Sequence, residues 1–202
     1  YSVIIVMDDL IFPFESTRRT WGLFALLLLT VISVTFSATP ELLLDTDDRE
    51  YFEAAKASRE DLTQLFSPNR HPSTMGRPVI DIVFLVNHWM WEENVTLYHY
   101  QVVAAHFVAA LLLAYTFHVL GASLSLSFLG SLLFSVQVGH FRAIHWIASI
   151  GYPLSMIFAL LLILYHVRDK SKHWHVGVLT CLVVWTHPSS ISVIPFCLFV
   201  TW

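Results

Sequence analysis

The sequence predicts an all-α integral membrane protein: a polytopic helical bundle with a large outer loop of interfacial helices after its first span. Two observations predict this fold class. Of the 202 residues, 56% are hydrophobic and 13% are charged, whereas soluble domains carry about 25% charged residues. The mean hydropathy is +0.64, and the apolar residues form long runs. A helix needs about 20 apolar residues to cross a bilayer.

Six apolar runs are candidate spans. They cover about residues 20–38, 97–120, 124–138, 147–167, 174–187 and 191–202. The run 124–138 is short, so a thinner bilayer or neighbouring helices must accommodate it. Because the chain starts at Tyr1 without a methionine and stops inside an apolar run, we expect an N-terminal portion of a longer protein. Residues 1–19 would form a cytoplasmic or interfacial segment, and residues 20–202 a transmembrane module.

The basic residues predict the orientation. Arg18 and Arg19 precede the first span, and a basic stretch at 168–172 separates the fourth and fifth. Counting crossings places both on one side, which the positive-inside rule makes cytoplasmic. The loops at 39–96 and 139–146 then lie on the outer face. We therefore expect a multi-pass protein of a bacterial inner membrane or of the endoplasmic reticulum.

The outer loop 39–96 has the periodicity of helices rather than of a linker. Apolar residues recur at helical spacing within 50–66, where Lys56 and Glu60 add an i,i+4 ion pair. A second segment, 77–91, opens with Arg-Pro and ends with tryptophans that suit a membrane interface. We expect both helices to lie on the outer membrane surface, because the polar residues within 79–91 make it a poor span.

Acidic residues follow the first span directly, in the segment LLLDTDDREYF. A carboxylate such as that of Asp47 or Asp48 can act as general base toward an acceptor hydroxyl. Neighbouring carboxylates also suit a divalent cation such as Mg²⁺ or Mn²⁺, which is therefore a candidate cofactor, although no residue is assigned as a metal ligand. The simpler interpretation is a solvated boundary of the membrane helix, as acids next to a span commonly are.

Basic and histidine side chains collect on the same predicted face. They are Arg77, His99, His140, Arg142 and His145. Arg and His side chains hold phosphate groups by charge-assisted hydrogen bonds, so this face suits a lipid-linked phosphate. His99 and His106 are seven residues apart and share a helix face. Such a pair can bind a metal or haem with a partner helix, but buried histidines bonded to neighbouring helices are commoner.

Several function classes have no support in the sequence. The net charge is −4 and no basic stripe occurs, so a nucleic-acid partner is not expected. Cys181 and Cys197 lie inside apolar runs and are interpreted as packing residues rather than a disulfide or metal pair. No glycine loop for phosphates and no serine-nucleophile elbow is present.

The order of the motifs resembles the GT-C class of polytopic glycosyltransferases, over about residues 20–167. The similarity is to the branch of protein O-mannosyltransferases and of transmembrane mannosyltransferases with tetratricopeptide repeats. Asp47-Asp48 stands where that branch has an acidic pair after its first span, and GRPVIDIVFLVNHWMW resembles its Arg-Pro segment. YHYQVVAAH matches its two histidines, His99 and His106, and LLFSVQVGHFRAIHWIAS resembles its outer turn, with His140, Trp146 and Ile147 as matches.

Three positions depart from the family pattern. The Asn between the two histidines is Val102, the His-Pro of the outer turn is Gln137-Val138, and the Glu of that turn is Arg142. The last change reverses a charge at the rim of the expected site.

The resemblance implies a glycosyltransferase that uses a polyprenyl-phosphate sugar donor on the outer or lumenal face. Asp47 or Asp48 would be the base or would orient the acceptor. Arg142 and His140, with Arg77, would contact the donor phosphate. The expected partners are membrane lipid and the lipid-linked donor.

Two other functions stay open. The departure at Arg142 favours a non-catalytic GT-C-like subunit or scaffold of a larger membrane complex, with partner membrane subunits. A carrier or flippase is a weaker hypothesis, because neither an intramembrane acid nor a broken helix indicates one.

Overall fold

The chain folds into a bundle of helices, with no strand among the residues that the structure describes. The structure is a computed structural model that describes residues 14–66, 77–168, 173–187 and 192. The proposed segment 1–19 before residue 14, and the predicted sixth span apart from Ser192, lie outside these residues. The α-helices are α1 (Phe14–Thr35), α2 (Thr46–Glu60), α3 (Pro78–Trp91), α4 (Val95–Val119), α5 (Leu124–Val136), α6 (Phe141–His145), α7 (Gly151–Arg168) and α8 (His173–Thr186). Short 3₁₀ turns lie at Thr39–Glu41, Leu62–Phe66, Val138–His140 and Ile147–Ile150.

Three helical segments are long and apolar enough to cross a membrane. They are Arg18–Thr35, Val95–Val119 and Ile147–Arg168. A fourth, Leu124–Val136 with Val138–His145, is bent by 51° and is a broken span or a re-entrant loop. The segment Trp174–Thr186 of α8 is apolar but shorter. These lengths and compositions support a membrane protein, and they agree with the first five predicted apolar runs in position.

Arg18 and Arg168, the first and last Arg or Lys residues that the structure describes, lie at the same end of the bundle. The ring of Trp21, near the start of α1, packs edge-on against Tyr115, near the end of α4, with centroids 5.9 Å apart. The guanidinium carbon of Arg168, at the end of α7, lies 5.1 Å from the centre of the same Tyr115 ring. We call this the inner end. It agrees with the prediction for Arg18 and Arg168, whereas residues 169–172 of the basic stretch lie outside the described residues.

Small residues bring α4 and α5 close together. Ser127, Ser131 and Ser135 recur every fourth residue on α5 and are fully buried. The Ser131 hydroxyl donates to the carbonyl of Ala110 on α4, where Ala109 and Ala110 are also fully buried. Backbones approach closely at such faces, and interhelical hydrogen bonds hold helices together where no water competes.

The outer loop folds as two helices, α2 and α3, which pack on the start of α4. Tyr51 of α2 stacks on Phe84 of α3 with ring centroids 4.7 Å apart, and Phe52 lies 4.5 Å from Tyr98 of α4. A reciprocal amide pair joins Asn87 of α3 to Gln101 of α4. The two helices predicted in the loop 39–96 are therefore present.

Candidate functional site

Asp48 connects the acidic segment to residues 137–150, which we call the outer turn, through a partner 100 residues later in the chain. Its Oδ1 accepts a 2.7 Å hydrogen bond from the backbone N–H of Ala148. Its Oδ2 accepts a 3.1 Å bond from the backbone N–H of Asp45. Because α2 begins at Thr46, the second bond is the reciprocal half of a capping box, in which the third helical side chain bonds back to the N-cap. Asp48 is 1% exposed.

Burial dominates the electrostatics of Asp48. Loss of solvation raises the pKa of its carboxyl above the ordinary value, while the N–H groups of Ala148 and Asp45 oppose that change. The charges of Asp45 and Asp47 raise the pKa further. A carboxylate with both oxygens accepting backbone N–H bonds is suited to fixing two segments in place. It is less suited to abstracting a proton from a substrate, which needs a direct approach.

Asp47 differs from its neighbour in exposure. Its side chain is exposed in the first turn of α2, where the helix dipole stabilises negative charge. The hydrogen bond from Ala148 fixes Asp48 against the outer turn. Because Asp47 is the preceding residue, the backbone also fixes its position relative to that turn. Asp47 is therefore the acid of this pair that a substrate can reach.

A cavity of about 530 Å³ opens beside the outer turn. Its lining includes three of the residues that the sequence singled out, His106, His140 and Arg142. Residues of α5 and α7 also line the cavity, among them Phe134, Tyr152, Ser155, Met156 and Ala159. The volume falls within the range of about 300–1,000 Å³ that is usual for small-molecule pockets.

The two cavity histidines have different settings. His106 is 3% exposed, and its Nε2 donates to the carbonyl of Ser135 at 3.1 Å. The ring of His140 lies 5.3 Å from that of His106. The buried Nε2 of His140 has no hydrogen-bond partner within the described part of the chain. That nitrogen is therefore a buried polar atom with which no described residue forms a hydrogen bond.

Arg142 is exposed at the rim of the cavity, with its guanidinium carbon 4.0 Å from the centre of the Trp146 ring. Stacking on an aromatic face orients a guanidinium plane and leaves its N–H edge available. This cation is the reversed charge noted in the sequence, and it is an exposed residue of the cavity lining.

The other predicted residues lie around this site. The Nε2 of His99 donates to the carbonyl of Leu42 at 3.2 Å, which ties α4 to the acidic segment. His145 bonds back to the carbonyl of Phe141 and packs against Phe36. None of His99, His145 and Arg77 is among the cavity-lining residues in the described ranges. Arg77 instead acts electrostatically on His187, whose ring lies 4.4 Å from that of the cavity residue Tyr152.

Besides Ser192, the polar lining residues that the sequence did not single out are Tyr152 and Ser155. Both lie in the first turns of α7, inside an apolar run, and no motif marks them. Within the described residues, no group of three or more His, Cys, Asp and Glu side chains is arranged to hold a metal ion.

Comparisons with known proteins add no assignment. No protein-family model matches the chain, and no curated protein or solved structure shows significant similarity to it. The site therefore has to be interpreted from its own geometry.

Proposed function

We propose that the protein transfers a sugar from a polyprenyl-phosphate donor to an acceptor hydroxyl at the outer face of a membrane. The observation that carries the proposal is the bond from Ala148 N–H to Asp48, which holds the acidic segment against the outer turn. That turn also contributes His140 and Arg142 to the cavity. The acidic segment and the two expected phosphate contacts therefore lie on connected segments, which supports the arrangement that the GT-C resemblance implies.

The proposed reaction forms one bond and breaks one. The acceptor oxygen attacks the anomeric carbon of the donor sugar while the bond from that carbon to the phosphate oxygen breaks. Asp47 takes the proton of the acceptor hydroxyl, because it is the exposed member of the acidic pair. Arg142 and His140 stabilise the negative charge on the departing polyprenyl phosphate. Asp48 is a positioning residue in this scheme.

The test is sugar transfer from a radiolabelled polyprenyl-phosphate donor by the purified protein in detergent micelles. Asp47→Asn should lose transfer by at least about a hundredfold, the lower range for a general base. Arg142→Gln should lower kcat/KM for the donor by about tenfold or more, since hydrogen bonds to charged groups contribute about 1.5–3 kcal/mol. Arg49→Gln is the matched control, because Arg49 is exposed on α2 outside the cavity lining.

Full transfer by Asp47→Asn, with Asp48→Asn also active, would refute the role of the acidic pair. Absence of transfer by the unmodified protein with every donor supplied would instead favour the second candidate function, a non-catalytic subunit of a membrane complex. One observation favours that candidate: Arg142 stands where the GT-C pattern has a Glu, which reverses a charge in the cavity lining. In that case a partner membrane subunit should copurify with the protein.

A further inference from the structure

A groove lies near the inner end of the bundle, between α1 and α4. It has a volume of about 420 Å³ and is lined by Trp21, Gly22, Ala25, Leu111, Leu112 and Tyr115. It is separate from the outer cavity, with which it shares no lining residue. The lining is aliphatic and aromatic, so its occupant must present an apolar segment.

The groove exists because α1 carries small residues on this face. A Cβ atom built on Gly22 would meet no atom within 4 Å, so the space above this glycine is open. Ala25 lies three residues further along the same face. Larger neighbours on α1 are exposed, Leu23 by 69% and Leu26 by 61%. The groove is thus part of the apolar surface that α1 presents to its surroundings.

Two cations flank the inner end of the groove. Arg18 is exposed and lies four residues before Gly22, on the same helix face. Arg168 is exposed as well, with its guanidinium carbon 5.1 Å from the centre of the Tyr115 ring that lines the groove. An occupant with an apolar chain and an anionic end therefore complements both parts of this surface. A neutral partner helix would complement the groove alone.

We propose that the groove binds an anionic phospholipid, with one acyl chain between α1 and α4 and the phosphate near Arg18 and Arg168. Acyl chains gain free energy with each methylene group that leaves water. A lipid in a bilayer already has its acyl chains out of water, so the groove alone does not favour one headgroup. Preference for an anionic over a neutral phospholipid therefore comes from Arg18 and Arg168. The proposal is independent of sugar transfer, because it concerns the opposite end of the bundle.

The test measures lipid retained by the whole purified protein. The protein is reconstituted in vesicles that contain phosphatidylcholine and phosphatidylglycerol, and is then extracted in mild detergent. Native mass spectrometry measures which lipids stay bound to it. The unmodified protein should retain phosphatidylglycerol in preference to phosphatidylcholine. Arg168→Gln should lower that preference about fivefold, since a cation near an anionic lipid surface contributes about 1 kcal/mol. Arg59→Gln, an equal charge change at an exposed site on α2, should leave the preference unchanged.

Gly22→Leu tests the groove itself. The new side chain fills open space, and leucine favours a helix more than glycine does, so the fold should persist. Retention of both lipids should fall severalfold. Equal losses in Arg168→Gln and Arg59→Gln would overturn the headgroup assignment. Unchanged retention in Gly22→Leu, or a dimer through α1 that carries no lipid, would overturn the groove as a lipid site.

Discussion

At the scale of single residues, the acidic pair divides two tasks between adjacent side chains. Asp48 is buried and bonded to two backbone N–H groups, whereas Asp47 is exposed one position earlier. The division follows from helix geometry, because consecutive residues on a helix point about 100° apart and cannot share one environment. A substitution of Asp48 should therefore lower mainly the stability of the protein, and a substitution of Asp47 mainly its proposed activity.

Asp48→Ala should destabilise the protein without acting on the cavity directly. It leaves the N–H groups of Ala148 and Asp45 without their acceptor, and an unsatisfied buried donor costs about 1–3 kcal/mol. The thermal unfolding midpoint, followed by tryptophan fluorescence in detergent, should fall clearly. Asp47→Ala is the matched control and should lower the midpoint less, because it removes only an exposed charge at the helix N-terminus that contributes about 0.3–1 kcal/mol. Equal midpoints for the two variants would contradict the anchoring role of Asp48.

The raised pKa of Asp48 predicts a pH dependence of stability. The folded protein holds the Asp48 proton more tightly than the unfolded chain, whose carboxyl has the ordinary value of 3.8. The stabilisation from this proton is therefore complete below pH 3.8 and is lost as pH rises through the raised pKa. Asp48→Asn cannot titrate at this position. The stability of the unmodified protein relative to Asp48→Asn should fall with rising pH across that window and then level off. A flat difference would contradict the burial argument.

Part of the site follows from the sequence and part does not. The resemblance predicts that Asp47 and Asp48 share the outer face with His140 and Arg142, and Asp48 accepts a hydrogen bond from Ala148 of the same outer turn. The partner of Asp48 was not predictable, because a backbone N–H leaves no signature in the sequence. The lining role of Tyr152 was hidden for another reason: a tyrosine in an apolar run has the pattern of a packing residue.

At the scale of elements, the contact of α4 with α5 depends on small side chains. Ala110→Leu inserts three carbon atoms at a fully buried position facing Ser131. Overpacking of this kind costs about 1–3 kcal/mol, so the thermal midpoint should fall. Ala104→Leu makes the same change on the exposed side of α4 and should leave the midpoint nearly unchanged. An equal response from both would mean that the two helices are not held by close packing.

Helix positions were the most predictable part of the fold, because long apolar runs and helical periodicity define them locally. The predicted runs 20–38, 97–120 and 124–138 agree with α1, α4 and α5 to within three residues at every end except the start of α1. That helix begins six residues before the predicted run. The bend of 51° between α5 and the segment that follows it was not foreseen. It belongs to the Gln137-Val138-Gly139 stretch, where an extended Gln137 ends the helix.

At the scale of the whole molecule, the placement of Arg18 and Arg168 at one end predicts the topology. In a background with Cys181→Ser and Cys197→Ser, Lys56→Cys should react with a membrane-impermeant maleimide from the outer side. Ala122→Cys, in the turn between α4 and α5, should react only after the membrane is permeabilised. Labelling of Ala122→Cys in sealed vesicles or cells of known orientation, with Lys56→Cys protected, would reverse the assignment of the two faces.

The bond between Asp48 and Ala148 has a consequence for biogenesis. A ribosome adds ~5–20 residues per second, so roughly 5–20 s separate synthesis of the carboxylate from synthesis of the amide that it accepts. During that interval the Asp48 carboxylate has only its bond from the backbone N–H of Asp45, while α2 can already pack on α3 and α4. The bond to Ala148 can form only after residue 148 has been synthesised and has reached the end of the bundle where α2 begins. Formation of this bond is therefore a late event, which follows the synthesis of α3 to α6.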